Sequence, residues 1–326
     1  MPGSWRRAIT VALGLALLGA FIASSDLSEV AACMRLLGYL APLVLVPEGL
    51  ALVADTCGWR AVMPAAMRAR VPLASLYLVR MAGESVNGFT PTATLGGEPV
   101  KAHLLRAFGV SGAEAMASVV VARTALVASQ AAFVTAGTIA LLVYLGYSGL
   151  ALVWLVVQGL LAVAFVVALV RLQRRGLATA VSRLGRRLAP ASGLLARLER
   201  SAVLIDRRLD DFHRFEQPAF RRAMAWHLVG WVLGIGEVQF IMWAIGAPIG
   251  VLEAFLIESL TQPIRAAAIV IPNALGVQEW GGMWLCTTLG MAEPHAVALW
   301  LLKRGRETVF DLAGLVYLGV RTHLDR

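Results

Sequence analysis

Charge is scarce in this chain, and its scarcity is uneven. Only 15% of the 326 residues are Asp, Glu, Lys or Arg, against 59% hydrophobic, and the mean hydropathy is +0.74. Residues 124–170 carry no charge at all. A water-soluble domain cannot present such a stretch, whereas two membrane spans of about 20 residues each, turning at Gly146–Gly149, accommodate it. Cysteine is nearly absent. Cys33, Cys57 and Cys286 are odd in number and widely separated, which argues against a disulfide framework and a cysteine zinc site. The five histidines show no metal-ligand spacing and no phosphate-binding P-loop occurs, so no metal or cofactor is implied and ATP-driven work by this chain alone is not expected. A short Gly-x-Ser-Gly pattern at Gly109–Gly112 is a weak sign of an intramembrane protease, because Ser111 falls between Arg106 and Glu114 where a helix should turn. No catalytic constellation emerges, and an enzyme is not expected.

The charge that is present has a pattern. A net charge of +9 would suggest nucleic acid in a soluble domain, but here 13 arginines and five acids are gathered in residues 171–222. Such a loop is expected on the cytoplasmic side of a membrane, and no nucleic-acid partner follows from it. The same loop can rest on anionic lipid or dock a partner.

Arg6 and Arg7 precede the uncharged run Ala8–Ser25, which predicts a first helix with a cytoplasmic N-terminus. Leu36–Cys57 returns, carrying Glu48 near its centre, and Trp59, Arg60, Arg68, Arg70 and Arg80 then mark the inner side. Residues 72–108 are interrupted by Gly83, Gly88, Pro91, Gly96, Gly97 and Pro99, and they start and end among basic residues. A re-entrant hairpin of two half-helices satisfies both facts. Ala115–Leu145 spans outward and Leu150–Val170 spans back; Ala223–Ile245 goes out again with Glu237 about midway. Residues 252–290, broken by Pro263, Pro272, Gly276, Gly281 and Gly282, predict a second hairpin, and about 293–320 the last helix. The expected fold is an all-α polytopic membrane protein with about six transmembrane helices and two re-entrant hairpins. Its halves, 1–145 and 146–326, form an inverted repeat. A competing layout makes 252–271 a full span.

The halves share a register of 181 residues. Pro91 recurs as Pro272, Glu98 as Glu279 and Arg123 as Arg304, with four further identities at Leu104, Gly109, Ala115 and Ala117. Seven matches in the 35 positions 90–124 are few for so apolar a chain, where roughly three arise by chance; the paired charges and prolines carry the weight. An ionisable residue inside a bilayer is costly and marks a polar pathway or a buried ion pair. Glu98 with Arg123 and Glu279 with Arg304 fit either. Glu48 and Glu237 are expected to be structural partners of those arginines, and Asn87 and Asn273 to cap half-helices.

Trp59-Arg60, the run Glu84-Ser85-Val86-Asn87-Gly88-Phe89-Thr90-Pro91 leading into Gly96-Gly97-Glu98-Pro99-Val100-Lys101, and Pro272-Asn273-Ala274-Leu275-Gly276-Val277-Gln278-Glu279 together resemble the lysylphosphatidylglycerol synthase membrane-region family, also described as flippase-like. Leu302-Lys303-Arg304-Gly305-Arg306-Glu307 is similar to its hopanoid-associated branch. The resemblance implies a polytopic bacterial inner-membrane protein that moves a lipid between leaflets. Two-domain members also carry a soluble aminoacyl-transferase; these 326 residues contain none, so lipid aminoacylation is not expected to carry over. Half-helix N-termini suit phosphate oxygens, Arg123 and Arg304 can each donate a planar pair of hydrogen bonds, and Lys101 adds a point charge. The expected headgroup site is therefore Glu98, Lys101, Arg123, Glu279, Arg304, Asn87 and Asn273. Glu48, Glu84, Glu237, Gly96, Gly97, Pro91, Pro272 and Gly276 support it. The alternative is a non-transporting partner that positions lipid-modifying enzymes.

Overall fold

The computed structural model describes residues 4–90, 96–146, 149–176, 178–180, 182 and 193–324, and every regular element among them is helical. Helices α1 (Ser4–Ser24) and α2 (Leu27–Leu37) meet at Asp26, whose carboxylate accepts from the N–H groups of Ser28 at 2.9 Å and Glu29 at 3.3 Å. That cap starts α2. The expected single helix over Leu36–Cys57 is instead broken. Gly38, at φ 47°, ends α2; a 3₁₀ segment, Gly38–Val44, contains Pro42; and α3 (Leu45–Ala61) follows. Proline has no N–H to continue the α-helical ladder, and the tighter segment absorbs the break.

Next come α4 (Ala65–Arg70), α5 (Leu73–Phe89), α6 (Gly97–Leu105), α7 (Gly112–Tyr144) and α8 (Leu150–Arg174). Ser111 opens α7 by accepting from the Glu114 N–H at 3.3 Å, so it is a helix cap. The arginine-rich stretch is not a bare loop. It holds α9 (Gly193–Phe215), which buries Ala202, Leu209 and Phe212 against the bundle and packs on α7 and α8. Pro91, Arg183, Arg186 and Arg187 lie outside the described residues. The chain continues with α10 (Gln217–Ala244), α11 (Val251–Ala267), α12 (Val277–Thr288) and α13 (Glu293–Leu324).

Among the described residues, Leu27–Ala61, Gly112–Tyr144, Val157–Arg174 and Gln217–Ala244 are long and apolar enough to cross a membrane. On α8, Leu160, Leu161, Val163 and Phe165 are 60% to 65% exposed, as a lipid-facing surface requires. This is an all-α membrane protein. One apolar cluster centres on Trp59, Leu76 and Leu105, and the other on Phe21, Ile241 and Trp300.

Two features of the packing position the polar groups. Helix α13 crosses α5 at Gly314, where a Cβ would fall 2.1 Å from Ser85 Oγ and 2.7 Å from the Met81 carbonyl. Only glycine permits that approach. Helices α5 and α6 fold back on each other, as do α11 and α12, each pair flanking an interruption in the chain.

Candidate functional site

The first polar cluster is built where α6 lies against α5. Gly97 sits so close that a Cβ would be 1.9 Å from the Gly83 oxygen, and its N–H donates to Asn87 Oδ1 at 2.7 Å. Asn87 thus satisfies an orphan donor at the start of α6 from neighbouring α5, a capping role. Its amide also donates to Glu84 at 3.2 Å and to Glu98 at 3.4 Å. Lys101, 3% exposed, reaches Glu84 at 2.7 Å and Glu98 at 3.1 Å. Arg123 lines the same water-sized cavity as Arg80, Glu84, Glu98 and Lys101, within electrostatic reach of Glu84.

The second cluster surrounds the interruption between α11 and α12. Glu279, fully buried, accepts from Arg304 Nε at 2.5 Å and reaches back to the Gly276 N–H at 2.7 Å, so one carboxylate both holds the cation and caps α12. Arg304 also donates to Glu307 at 2.9 Å and to the Asn273 carbonyl at 3.2 Å. Glu307 in turn accepts from Arg265 at 2.8 Å and Gln278 at 3.3 Å. Asn273 and Ala274, just after Pro272, adopt φ of 50° and 49°, a conformation that costs a non-glycine residue free energy. Asn273 does not cap α12 as expected; its side chain donates to Asp311 at 3.0 Å.

The two interruptions meet. Gly88, at the end of α5, comes so near that a Cβ there would lie 3.2 Å from Asp311 and 3.5 Å from the Asn273 amide. The chain therefore brings Asn87 and Asn273 to the same region, with Lys101 and Glu98 on one side and Arg304 and Glu279 on the other.

Glu48 and Glu237 require a correction. Arg304 pairs with Glu279 and Glu307 instead. Glu48 and Glu237 both bind Arg306, which approaches Glu237 at 2.8 Å, and Glu237 also holds Lys303 at 3.0 Å. Lys303 completes the group by reaching Glu258 at 2.8 Å. The physical reason is helical phase: residues 303 and 306 lie three apart and share a face of α13, while 304 and 307 share the next one. Arg80, read as a marker of the inner side, is likewise buried, 2.7 Å from Asp55 and 3.8 Å from Glu84. Asp55 also accepts from His227 Nδ1 at 2.6 Å. Sequence reasoning missed Asp55, Asp311, Glu258 and Glu307 as site groups. The usable signal was their position inside otherwise apolar helices.

Across these clusters nine carboxylates (Glu48, Asp55, Glu84, Glu98, Glu237, Glu258, Glu279, Glu307 and Asp311) stand against seven cations (Arg80, Lys101, Arg123, Arg265, Lys303, Arg304 and Arg306). So many ionisable groups inside apolar helices are tolerated because nearly every one has a partner of opposite formal charge nearby.

A family model described as the lysylphosphatidylglycerol synthase TM region matches residues 7–314. The chain belongs to that family. The match runs from the first helix through both polar clusters and into the second half of α13, so the site belongs to the membrane region from which the family takes its name. No curated protein and no solved structure matches the chain significantly.

Proposed function

We propose that this member of the lysylphosphatidylglycerol synthase membrane-region family translocates a polar-headed, phosphate-bearing lipid between the leaflets of a bacterial inner membrane. The observation that carries the reading is the meeting of two chain interruptions, each with a buried cation held by a carboxylate at the start of a half-helix: Lys101 on Glu98 and Arg304 on Glu279. In this reading α5–α6 and α11–α12 are re-entrant hairpins of two oppositely inserted halves, 1–145 and 146–326, with the N-terminus and residues 171–222 in the cytoplasm. A headgroup phosphate competes with the carboxylates for Lys101, Arg123 and Arg304, while the acyl chains stay in the bilayer. The resemblance of residues 302–307 to the hopanoid-associated branch extends the candidates to hopanoid lipids.

The alternative, a scaffold for lipid-modifying enzymes that docks through the arginine-rich stretch, has less support. On α9, Arg208 pairs with Glu114 of α7 and Arg214 with Asp210, so these arginines are engaged within the chain. The test is reconstitution into liposomes with headgroup-labelled lipids and a membrane-impermeant quencher. Translocation predicts exchange above the rate of empty vesicles, reduced by Arg304→Ala in folded protein. Exchange at the empty-vesicle rate for every candidate lipid would remove the reading.

A further inference from the structure

We infer that His227 and Asp55 form a proton-binding site, and that proton uptake there accompanies entry of the headgroup. The inference rests on the translocation reading above and names the counter-ion it requires. An anionic phosphate would enter clusters in which, among the described residues, carboxyl groups outnumber cationic side chains by nine to seven. In a low-dielectric interior that added charge must be compensated, and a proton is the smallest compensating ion.

The geometry identifies where it goes. The imidazole of His227 is fully buried, its Nδ1 lies 2.6 Å from Asp55 Oδ1, and its Nε2 has no hydrogen-bond partner. A carboxylate fixing one ring nitrogen leaves the lone pair of the other as the base. Gly58 packs against that ring edge, where a Cβ would fall 3.0 Å from Nε2 and where only glycine leaves the imidazole its place. Behind Asp55 stands Arg80, 2.7 Å from Asp55 and 3.8 Å from Glu84, and Glu84 holds Lys101 at 2.7 Å. A continuous series of alternating charges therefore links His227 to the cavity that Lys101 and Arg123 line.

The charged groups facing the imidazole are Asp55 from α3 and, beyond it, Arg80 and Glu84 from α5. Helix α7 meets α10 through the neutral pair Trp231 and Ser129, 3.2 Å apart. Helices α11 and α13 meet it further along, at Gly234 and Glu237, through Glu258, Lys303 and Arg306.

The step is a proton transfer. A hydronium proton adds to the Nε2 lone pair as its O–H bond breaks and leaves water, and no bond within the protein breaks. The imidazolium then neutralises Asp55, which loosens its hold on Arg80. Arg80 moves to Glu84, Glu84 loosens its hold on Lys101, and the phosphate then competes with Glu98, 3.1 Å from the ammonium. Departure of the lipid reverses the exchange and frees the proton.

The test uses the full chain in liposomes, with headgroup-labelled phospholipid, an impermeant quencher and a trapped pH-sensitive dye. Exchange by the wild type at pH 7 is read first. If it does not exceed empty vesicles, translocation itself fails and the coupling falls with it. Where exchange occurs, the expected result is a rate that varies with pH by up to about tenfold per unit, the limit for one titrating group. Proton movement in the dye signal should accompany lipid movement. His227→Gln, which retains a polar side chain toward Asp55, should flatten the profile. A wild-type rate independent of pH with no dye response overturns the coupling while leaving translocation intact. So does a folded His227→Gln protein that keeps the wild-type profile. Should that variant fail to fold, the wild-type dye measurement decides alone.

Discussion

Replacing Glu279 by Gln separates the two things its carboxylate does. The side chain is fully buried, binds Arg304 Nε at 2.5 Å and accepts from the Gly276 N–H at 2.7 Å. The amide oxygen of Gln can keep the second contact, so the loss is the charge. Breaking a buried ion pair costs about 3–5 kcal/mol when the remaining ion is left uncompensated. Arg304 keeps Glu307 at 2.9 Å and the Asn273 carbonyl at 3.2 Å, so the expected cost is nearer 2 kcal/mol, the partner being only partly stranded.

Arg304→Met is the harsher change, because it leaves the Glu279 side chain at zero exposure with a backbone N–H as its remaining hydrogen-bond partner among the described residues. About 4 kcal/mol is expected. In the double variant neither charge is stranded, and stability should recover to within about 2 kcal/mol of wild type. Melting midpoints in detergent for the four proteins give the coupling, and liposome exchange gives the function. A headgroup role for Arg304 requires that the double variant be stable yet exchange lipid at the empty-vesicle rate. If it exchanges at the wild-type rate, the pair is a lock and Arg304 leaves the mechanism. If the losses of stability simply add, the pair carries no coupling and the argument from burial fails.

Other expectations follow from the same contacts. Gly97→Ala places a methyl 1.9 Å from the Gly83 oxygen, and since backbone cannot yield as a side chain can, a loss of about 3 kcal/mol or more is expected; Gly236→Ala, with nothing within 4 Å, should be neutral or slightly stabilising, both read as melting midpoints. Lys303→Met removes the ammonium between Glu237 at 3.0 Å and Glu258 at 2.8 Å and should cost about 3–5 kcal/mol, most of it regained when Glu258→Gln is added; equal stability of the single and double variants would contradict this. On α9, burial and the nearby Arg174 push the His213 imidazole below its usual range, and its Nε2 lies 2.9 Å from Gln173. A histidine that is neutral when docked binds its proton more readily when α9 is released, so docking is full above pH 6.5 and weakens as pH falls through the depressed value. Hydrogen exchange in α9 should rise on acidification over that window, and His213→Gln should abolish the rise.

The membrane class and most helices could be read from the sequence because they depend on local composition. Uncharged runs and proline or glycine interruptions are visible one residue at a time, and α7, α8, α10 and the two broken stretches fall where those signals place them. The break at Gly38 and Pro42 was visible too, yet the apolar run masked it. Partner choice was not legible. Nothing local states that Glu48, from α3, meets Arg306 across the bundle, or that Asp55 meets His227 from 172 positions away. Arg80 shows the cost of reading charge by topology alone. An arginine near the end of an apolar stretch can mark an interface or a buried pair, and only the neighbouring helix decides. The cluster Lys303-Arg304-Gly305-Arg306-Glu307 divides between two ion-pair groups because successive residues on a helix face different neighbours.

The register of 181 residues acquires a physical meaning from the packing. In the first interrupted stretch α6 closes on α5 at Gly83, where a Cβ would strike Lys101 at 2.3 Å; in the second, α12 closes on α11 at Gly281, where a Cβ would strike Ile264 at 2.6 Å. Position 264 corresponds to 83 and position 281 to 100, one residue from Lys101, so a close approach in each helix pair falls at nearly the same place. The glycine has moved to the opposite helix. Charge has moved as well: Glu84 corresponds to Arg265 and Lys101 to Gly282, while Glu98 and Glu279 stay in place. A close approach at matching positions with different residues is what the proposed repeat predicts, since contact requires one small partner and does not specify which. The fixed carboxylates follow from a stricter demand. Each lies in the first turn of its helix, α6 or α12, where an anion is favoured, and a change of sign there would oppose the helix terminus and the neighbouring Lys101 or Arg304 together.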